Sequence, residues 1–410
     1  MRAIREIGAG LGVNRAVLAL SVARLGDAVG NSMLFIVLPL YVAALPVRWF
    51  NLPLPLRVGL VISLYGLVNT LLQPLMGALS DRIGRRKLLI QVGLLIMAAA
   101  TLGFTLARHY GDLFVLRVLQ GLGVGVTVPA AMGLMATITR LETRGSAMGV
   151  YSTSRMVGFA AGPLLGGVIY HHFGFHAAFA VAASFIGLGM LMVHFWVSDL
   201  RAVPAPQTAS GRFRVFDPGL LNAGVIGAGV ATFVMAADFS MLAPLENEFN
   251  ARLQQSAIGF GVAFSALMIS RLMFQIPLGR VSDRIGRRPL IVGGLLLMAP
   301  ATALLGFVGS TLQLTGLRLV QGLASAGIAA PAFALVADLS QSGGEARQMS
   351  IVTMGFGLGI AVGPLIAGLL AVLWFELPFL VGGLLTLIAA GVVRRYVPET
   401  VPGARFVAAD

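Results

Sequence analysis

Long apolar runs, interrupted by short polar segments, make up most of this 410-residue chain. A helix needs about 20 mostly apolar residues to cross the roughly 30 Å hydrocarbon layer of a bilayer. The runs reach that length. The pattern predicts twelve transmembrane helices, here called spans 1–12, at 16–43, 57–79, 88–108, 112–137, 145–170, 175–197, 218–245, 257–279, 289–309, 311–337, 348–373 and 378–397.

One polar segment, 198–217, is much longer than the other breaks and contains two prolines. It follows six predicted spans and precedes six more. We therefore predict an all-α membrane protein with an N-terminal six-helix bundle at 1–197, a linker at 198–217 and a C-terminal six-helix bundle at 218–410.

The two predicted bundles are copies of one unit. The heptapeptide Ser80–Arg86 occurs again, letter for letter, as Ser282–Arg288. An Arg-x-x-Gln-Gly pattern starts at Arg117 in span 4 and recurs from Arg318 in span 10, 201 residues later. Because six spans separate the copies, both have the same orientation, which indicates a parallel repeat about an axis along the membrane normal.

Composition excludes several classes of protein. Hydrophobic residues make up 57% of the chain and charged residues 11%, against about 25% charged in an average soluble domain. The absence of cysteine excludes thiol chemistry and disulfides. The single lysine, Lys87, precedes Leu88, whereas a phosphate-binding loop needs Ser or Thr there. We therefore expect neither an ATP-driven pump nor an enzyme, and no cofactor or metal.

The positive charge is distributed unevenly. Of the 29 lysines and arginines, 20 lie on the side of the N-terminus, four on the opposite side and five inside spans. This bias predicts that both termini and the linker are cytoplasmic. It also accounts for the net charge of +13 without nucleic acid. We expect a monomer in the plasma membrane (the inner membrane of a bacterium), with the lipid bilayer as its surroundings.

The basic hairpin at 77–86 carries a family resemblance. Gly77 is expected to allow close helix approach, Gly84 to permit a tight turn, and Asp81 to face the positive N-terminus of another helix. The hairpin resembles the signature between spans 2 and 3 of the major facilitator superfamily. The chain, over essentially its whole length, resembles twelve-helix transporters of that superfamily, of the drug:proton antiporter-like type.

The resemblance implies a conformational latch on the cytoplasmic side. In the first copy, Asp81 would meet the start of span 11, and Arg85 would pair with Glu142 at the end of span 4. These contacts are implied to form in the outward-open state and to break on inward opening. The alternative interpretation is that the arginines only fix topology.

The second copy extends the latch by symmetry. Asp283 would face the start of span 5, and Arg287 would reach Asp338 or Glu345. Both roles, latch and topology, are compatible.

A glycine ladder marks span 5. Gly158, Gly162 and Gly166 recur every fourth residue and form one smooth face for close packing. Pro163 interrupts the helical hydrogen bonds and is expected to bend the helix. The run from Gly158 to Gly167 is similar to the antiporter signature of proton-coupled exporters in the superfamily. Ordinary small-residue packing is the alternative, and span 11 has Ala367 in place of one glycine.

Ionisable side chains inside a bilayer cost roughly 2.5–3.5 kcal/mol each on insertion scales, so each is a functional candidate. Seven are predicted within spans: Arg24, Asp27, Arg117, Arg155, Asp238, Arg271 and Arg318. Counting residues along the helices places four of these in one layer, roughly 12–17 Å above the inner surface. The four are Arg24, Asp27, Arg155 and Arg271. The predicted substrate cavity comprises Arg24, Asn31, Arg155 and Arg271. The alternative is that Arg24 and Asp27, at i and i+3, neutralise each other.

Asp27 is the best candidate for the proton carrier, because burial can bring a carboxylate's pKa near neutrality. The resemblance implies that Arg117 regulates such an acid, either directly or through Asn31, one turn above Asp27. Asp238 in span 7 is the alternative carrier.

Five arginines against two aspartates leave the interior positive, which favours anionic or zwitterionic substrates. We expect a proton-coupled antiporter that exports small amphiphilic molecules, with protons and the substrate as partners. A facilitator or symporter of a polar metabolite, and a translocator of lipids or lipid headgroups, are the alternatives.

Overall fold

The structure, a computed structural model, describes residues 14–47, 51–140, 143–198, 222–339 and 345–401, without the side chains of Asp81 and residues 345–347. All regular elements in these ranges are helices. The long helices are Arg15–Ala44 (span 1), Leu54–Ile83 (span 2), Arg86–Gly103 (span 3), Asp112–Ile138 (span 4), Arg144–Trp196 (spans 5 and 6), Ala223–Ser240 (span 7), Ala257–Ile285 (span 8), Arg287–Leu304 (span 9), Thr311–Leu339 (span 10), Glu345–Ala371 (span 11) and Leu377–Tyr396 (span 12).

Short elements extend three of the spans. The 3-10 turns Phe104–Leu106 and Leu305–Phe307 continue spans 3 and 9. The 3-10 turn Ala243–Leu245 continues span 7 and leads into the short helix Glu246–Leu253. These additions bring each of the three helices to a length that can cross the bilayer.

Eleven helices in the described part of the chain are long and apolar enough to cross a membrane. The helix Arg144–Trp196 has 53 residues and would measure about 80 Å if straight, more than twice the bilayer's hydrocarbon thickness. Gly174, at φ 76° and ψ −173°, interrupts it. Glycine alone adopts that conformation readily. Residues 144–173 and 175–196 are therefore spans 5 and 6, and the predicted all-α fold with twelve spans is confirmed.

The chain forms two compact units. The first comprises Met1–Asn51 and Leu67–Arg214, and the second Leu52–Gly66 and Val215–Asp410. The first half of span 2 thus groups with the second unit, although the sequence prediction assigns it to the N-terminal bundle. Apart from Ser198, the predicted linker lies outside the described residues.

Both units begin with the same helix cap. Asn14 accepts a hydrogen bond from the Val17 N–H at 2.8 Å, and Asn222 accepts one from the Val225 N–H at 2.9 Å. An asparagine cap typically stabilises a helix by about 1 kcal/mol. Since the caps are 208 residues apart, spans 1 and 7 repeat at a different spacing from the later spans.

The glycine ladder packs span 5 closely against span 1. A Cβ on Gly158 would lie 2.8 Å from the Leu25 carbonyl oxygen, and one on Gly162 would overlap the Ser32 hydroxyl and lie 2.7 Å from the Val29 carbonyl oxygen. The Ser32 hydroxyl donates to the Gly158 carbonyl at 3.1 Å. Gly166 has similar contacts with Met33, while Pro163 and Gly167 are buried on the same helix.

Span 11 repeats this packing against span 7. A Cβ on Gly363 would lie 2.6 Å from the Ala237 carbonyl oxygen, and the Ser240 hydroxyl donates to the Gly359 carbonyl at 3.4 Å. The first and fifth spans of each half of the chain are thus held together by the same small-residue contact.

Candidate functional site

A buried ion pair lies on span 1 in the first unit. Asp27 is 4% exposed. Its Oδ2 accepts from Arg24 Nη1 at 2.6 Å, and its Oδ1 accepts from Asn31 Nδ2 at 2.9 Å. The three residues follow one another at i, i+3 and i+7, so they share one face of the helix. The mutual neutralisation of Arg24 and Asp27, which the sequence left as an alternative, is therefore what the structure contains.

The pair borders a small cavity inside the first unit. Its volume is about 10 Å³, and it is lined by Leu20, Ala23, Arg24, Asp27, Ile90, Thr127, Ala131 and Tyr151. That is room for about one water molecule. The Arg24 guanidinium lies over the Tyr151 ring, 5.8 Å from its centroid. Asp27 thus faces spans 3, 4 and 5 of its own unit beside a space that can hold one water.

Arg155 lies on span 5, one turn beyond Tyr151. Its guanidinium is 5.2 Å from the centroid of the Phe159 ring, one further turn along. Tyr151, Arg155 and Phe159 form one face of the helix. Within the first unit, the predicted cavity residues Arg24, Asn31 and Arg155 are therefore on the two spans that the glycine ladder holds together.

Arg117 belongs to a different polar cluster. Its Nη1 donates to Gln120 Oε1 at 3.1 Å, and Gln120 Nε2 donates to the Thr101 hydroxyl at 2.8 Å. Among the described residues, neither Asp27 nor Asn31 has a hydrogen bond to Arg117. Asn31 donates to Asp27, and a role of Arg117 in regulating this acid stays a prediction.

The second unit repeats this cluster 201 residues later and adds an acid. Arg318 Nη1 donates to Gln321 at 2.9 Å, and Gln321 Nε2 donates to the Thr302 hydroxyl at 2.9 Å. The Thr302 and Thr386 hydroxyls then donate to Asp238 Oδ2, at 3.0 and 2.8 Å. Buried polar groups that are hydrogen-bonded in this way keep a specific core arrangement. Asp238, 1% exposed, lies among spans 7, 9 and 12.

Asp27 and Asp238 do not occupy equivalent positions. At the 208-residue spacing of spans 1 and 7, Asp238 corresponds to Gly30, and Asp27 corresponds to Met235. A Cβ on Gly30 would lie 2.9 Å from the Ala182 carbonyl oxygen, so the first unit has no room there for a carboxylate. The proton-carrier candidates therefore differ in surroundings: Asp27 has an ion pair, and Asp238 has two hydroxyl donors.

The hairpin between spans 8 and 9 of the second unit contains a cluster of charges. Arg287 forms an ion pair with Asp283, and its Nε is 3.3 Å from Asp338 Oδ2. The Glu399 carboxylate accepts the backbone N–H groups of Arg287 and Arg288 at 2.9 and 3.0 Å. These N–H groups are at the positive N-terminus of span 9, where an anion is favoured.

The hairpin of the first unit is only partly described. Gly84 has φ +67°, which confirms the tight turn predicted there. A Cβ on Gly77 would lie 3.6 Å from Pro129 Cβ, an ordinary contact, so the described packing does not require glycine at that position. The Asp81 and Glu345 side chains and the whole of Glu142 lie outside the described residues, and the latch contacts assigned to them stay predictions.

Glu399 gives a direct stability prediction. Glu399→Gln should lower the free energy of unfolding by about 1 kcal/mol, because glutamine has one uncharged acceptor oxygen, whereas each oxygen of the carboxylate accepts one helix N–H group. Thermal unfolding of the protein in detergent measures the change. Asp283→Asn is the comparison, since Asp283 is 59% exposed and an exposed ion pair contributes little. Equal effects of the two changes would contradict the role of Glu399 at the helix terminus.

A second ion pair in the second unit joins Arg252, after span 7, to Glu376, just before span 12. Arg252 Nη1 is 2.8 Å from Glu376 Oε1, and its guanidinium is 3.7 Å from the Phe375 ring centroid. The hydrogen bond from Arg252 lowers the pKa of Glu376 below its ordinary value. In the described residues no group of His, Asp and Glu has the arrangement needed to hold a metal ion.

Sequence reasoning missed three residues that complete these clusters: Thr302, Thr386 and Glu399. Thr302 and its counterpart Thr101 are 201 residues apart, the same spacing as Arg117 and Arg318. That spacing was a usable signal. Thr386 and Glu399 gave none, since their partners lie 148 and 112 residues away along the chain.

Two curated bacterial proteins that resemble this chain have multidrug resistance in their names. A multi-drug resistance efflux pump PmrA homolog of Lactococcus lactis subsp. lactis (strain IL1403) is 26% identical over 349 residues, 84% of this chain and 85% of that protein. The multidrug resistance protein MdtG of Salmonella paratyphi B (strain ATCC BAA-1250 / SPB7) is 29% identical over 292 residues, 70% of this chain and 71% of that protein.

Solved structures with low sequence identity share the fold. A bacterial homolog to the human lysosomal transporter Spinster, inward-facing and occupied, superposes with a TM-score of 0.77 at 15% identity, over 92% of this chain and 95% of that one. The human organic anion transporter MFSD10 (TETRAN) superposes with a TM-score of 0.67 at 20% identity, over 92% of this chain and 99% of that one.

The family follows from the sequence match together with the helices. The sequence model described as Major Facilitator Superfamily matches residues 20–226 and 228–409. Because the two matched segments span nearly the whole chain and the helices are long and apolar enough to cross a membrane, the protein belongs to the Major Facilitator Superfamily and is a multi-pass membrane transporter.

Proposed function

We propose that this transporter is a proton-coupled antiporter that exports small amphiphilic molecules, zwitterionic ones included, by alternating access. The observation that supports the proposal most is the buried Arg24–Asp27 ion pair beside a cavity for one water. A carboxylate in that setting can exchange a proton through the water. The similarity to a protein named as a multi-drug resistance efflux pump agrees with export.

The ion pair supplies the coupling. Protonation of Asp27 removes the negative charge that neutralises Arg24. A cationic group of a substrate that pairs with Asp27 has the opposite preference, because it needs the ionised carboxylate. Proton and cationic group therefore compete for one side chain, and binding of either one releases the other. That competition is the requirement for antiport.

A second function, symport, is favoured by the same pair when the substrate is a pure anion. An anion that binds Arg24 takes the place of Asp27 as the counter-charge. Asp27 then gains a proton more readily, so anion and proton bind together. The charge of the substrate thus decides the sign of the coupling.

Proton exchange on substrate addition tests the proposal. The purified protein, weakly buffered in detergent, is mixed with ethidium, with a zwitterionic amphiphile, or with naphthalene-2-sulfonate, and the pH is followed with a dye. Antiport predicts proton release with the first two ligands. Proton uptake with the sulfonate would support symport, and binding with no proton exchange would contradict both and favour a facilitator.

The orientation and location are part of the proposal. The excess of basic residues on one side of the membrane supports cytoplasmic termini, and bacterial relatives support the inner membrane. We propose that the monomer transports and that Arg117 and Asp238 tune proton binding. The proposed latch consists of Gly77, Asp81, Arg85, Glu142, Asp283, Arg287 and Asp338.

A further inference from the structure

Arg271 is a guanidinium without a counter-charge among the described residues, in the middle of a membrane-spanning helix. It is the central residue of the helix Ala257–Ile285, 14 residues from either end, which is about 21 Å of helix on each side. Half of the hydrocarbon layer is only about 15 Å. At the predicted limits of span 8, 257–279, Arg271 lies 8 residues from the nearer end, about 12 Å along the helix, so it is well inside the hydrocarbon layer.

The surroundings of Arg271 differ from those of the other buried arginines. Arg24 has Asp27 at 2.6 Å, and Arg318 donates to Gln321 at 2.9 Å and lies 4.8 Å from the Phe264 ring centroid. Arg271 has neither a hydrogen bond nor an ion pair with a described residue, and its Nε is buried without an acceptor. The Phe356 ring of span 11 lies nearby, with its centroid 5.8 Å from the guanidinium carbon.

Gln275 adds a second polar group to the same place. It follows Arg271 by one turn of span 8, so the two side chains share one face. Its Oε1 is buried and has no hydrogen-bond donor among the described residues. A glutamine amide can turn to present either its NH2 or its carbonyl. Arg271 and Gln275 therefore offer a planar cation and an adjustable amide next to an aromatic ring.

We propose that Arg271, Gln275 and Phe356 form a subsite that binds the anionic group of an amphiphilic organic substrate. This inference deepens the proposed transport function and rests on it. A carboxylate or sulfonate matches the planar fork of a guanidinium in bidentate geometry. The Phe356 ring accepts the flat apolar part beside that group. Binding of the anion supplies a counter-charge to this membrane-embedded arginine.

The chemistry excludes the opposite charge. An organic cation at this position would face a second positive charge in a low-dielectric medium, where repulsion is strong. Arg271 is the only charged residue of the sequence between positions 257 and 279, so span 8 itself offers no carboxylate to offset that repulsion. The preference of this subsite for anions therefore follows from Arg271.

Two ligands that share a ring system and differ in charge test whether Arg271 binds the anionic group. Naphthalene-2-sulfonate and the neutral naphthalene-2-sulfonamide have the same ring system, and binding of each raises the unfolding temperature of the purified protein according to its affinity. Arg271→Gln should lower the affinity for the sulfonate at least tenfold and change the affinity for the sulfonamide by less than twofold. Arg271→Lys should keep part of the sulfonate affinity. Arg108→Gln, which removes an exposed arginine, is the control and should change neither.

Three results would overturn the subsite. One is unchanged sulfonate affinity in Arg271→Gln, and another is an equal loss for both ligands, which would indicate packing alone. The third is stabilisation that depends on Arg271 only in vesicles containing phosphatidylglycerol and never with the sulfonate, which would assign the arginine to a lipid. Gln275→Leu provides a second variant, with a smaller sulfonate-specific loss expected.

The result is separable from proton coupling. Sulfonate binding that depends on Arg271, with no proton exchange on addition of ethidium, the zwitterion or the sulfonate, keeps the subsite and removes the coupling proposal. If Arg271→Gln leaves both proton exchange and sulfonate affinity unchanged, the coupling proposal is kept and the subsite is removed.

Discussion

Replacing Asp27 by asparagine is expected to abolish proton-driven accumulation of substrate while the protein still folds. One proton crossing a 100 mV potential supplies about 2.3 kcal/mol, which corresponds to about fifty-fold accumulation of a neutral molecule. An asparagine side chain cannot bind a proton reversibly, so accumulation should fall to the passive level. The amide has the size of the carboxyl group and can still accept from Arg24 and donate to or accept from Asn31, so the fold should persist.

The measurement uses proteoliposomes with an imposed pH gradient, and exchange of labelled for unlabelled substrate without a gradient serves as the second readout. Exchange needs substrate binding and alternating access but no proton, so it should survive in the Asp27 variant. Asp112→Asn is the matched control, because Asp112 is an exposed carboxylate that accepts the backbone N–H groups of Arg108 and His109, just before its helix. Gradient-driven accumulation by the Asp27 variant would remove Asp27 from the mechanism.

Asp238→Asn separates the two candidate carriers. Asp238 accepts from Thr302 and Thr386 at 3.0 and 2.8 Å, deep among spans 7, 9 and 12. If Asp27 is the carrier, this variant should keep gradient-driven accumulation in the same proteoliposomes. Loss of coupling in this variant, with coupling retained in the Asp27 variant, would move the proton site to the second unit.

The helices could be predicted from the sequence because the bilayer imposes their length. Apolar runs of about 20 residues have one stable arrangement in hydrocarbon, a helix with all backbone groups bonded. The smooth face formed by Gly158, Gly162 and Gly166 could also be predicted, since a glycine at every fourth residue places all three on one side of a helix. Gly84 was readable as well: the turn it makes has φ +67°, which few other residues adopt.

Side-chain partners are less predictable, because depth along a helix gives no direction around it. Counting residues places Arg24, Asp27 and Arg155 at one height, but it does not decide between a mutual ion pair and separate roles. The structure decides for the pair, at 2.6 Å. The same limitation affects Arg117, which donates a hydrogen bond to Gln120 on its own helix.

Other features could not be predicted because the spacing between the two copies changes along the chain. Spans 1 and 7 repeat at 208 residues, while spans 4 and 10 repeat at 201, so an alignment at one offset misplaces the counterpart of Asp238. Gly174 turns the chain between spans 5 and 6 within one continuous helical segment, where the sequence predicts a break. Glu399 reaches the N-terminus of span 9 from beyond span 12, and only the folded chain brings the two together.

Gly162→Ala should destabilise the first unit strongly, although alanine is the better helix former. A Cβ at this position overlaps the Ser32 hydroxyl and lies 2.7 Å from the Val29 carbonyl oxygen. The hydroxyl can rotate, but the backbone oxygen of span 1 cannot move without separating the two helices. Overpacking of this kind costs about 1–3 kcal/mol, which should outweigh the gain of up to about 1 kcal/mol in helix propensity.

Gly149→Ala is the matched control on the same helix, because a Cβ there has no heavy atom within 4 Å. It carries the same gain in helix propensity without the clash, so it should leave the unfolding temperature unchanged or raise it. The two variants should therefore differ clearly in stability when unfolded in the same detergent. If Gly162→Ala were as stable as Gly149→Ala, spans 1 and 5 would not be held at the backbone contact that positions Arg24 and Asp27 beside Tyr151.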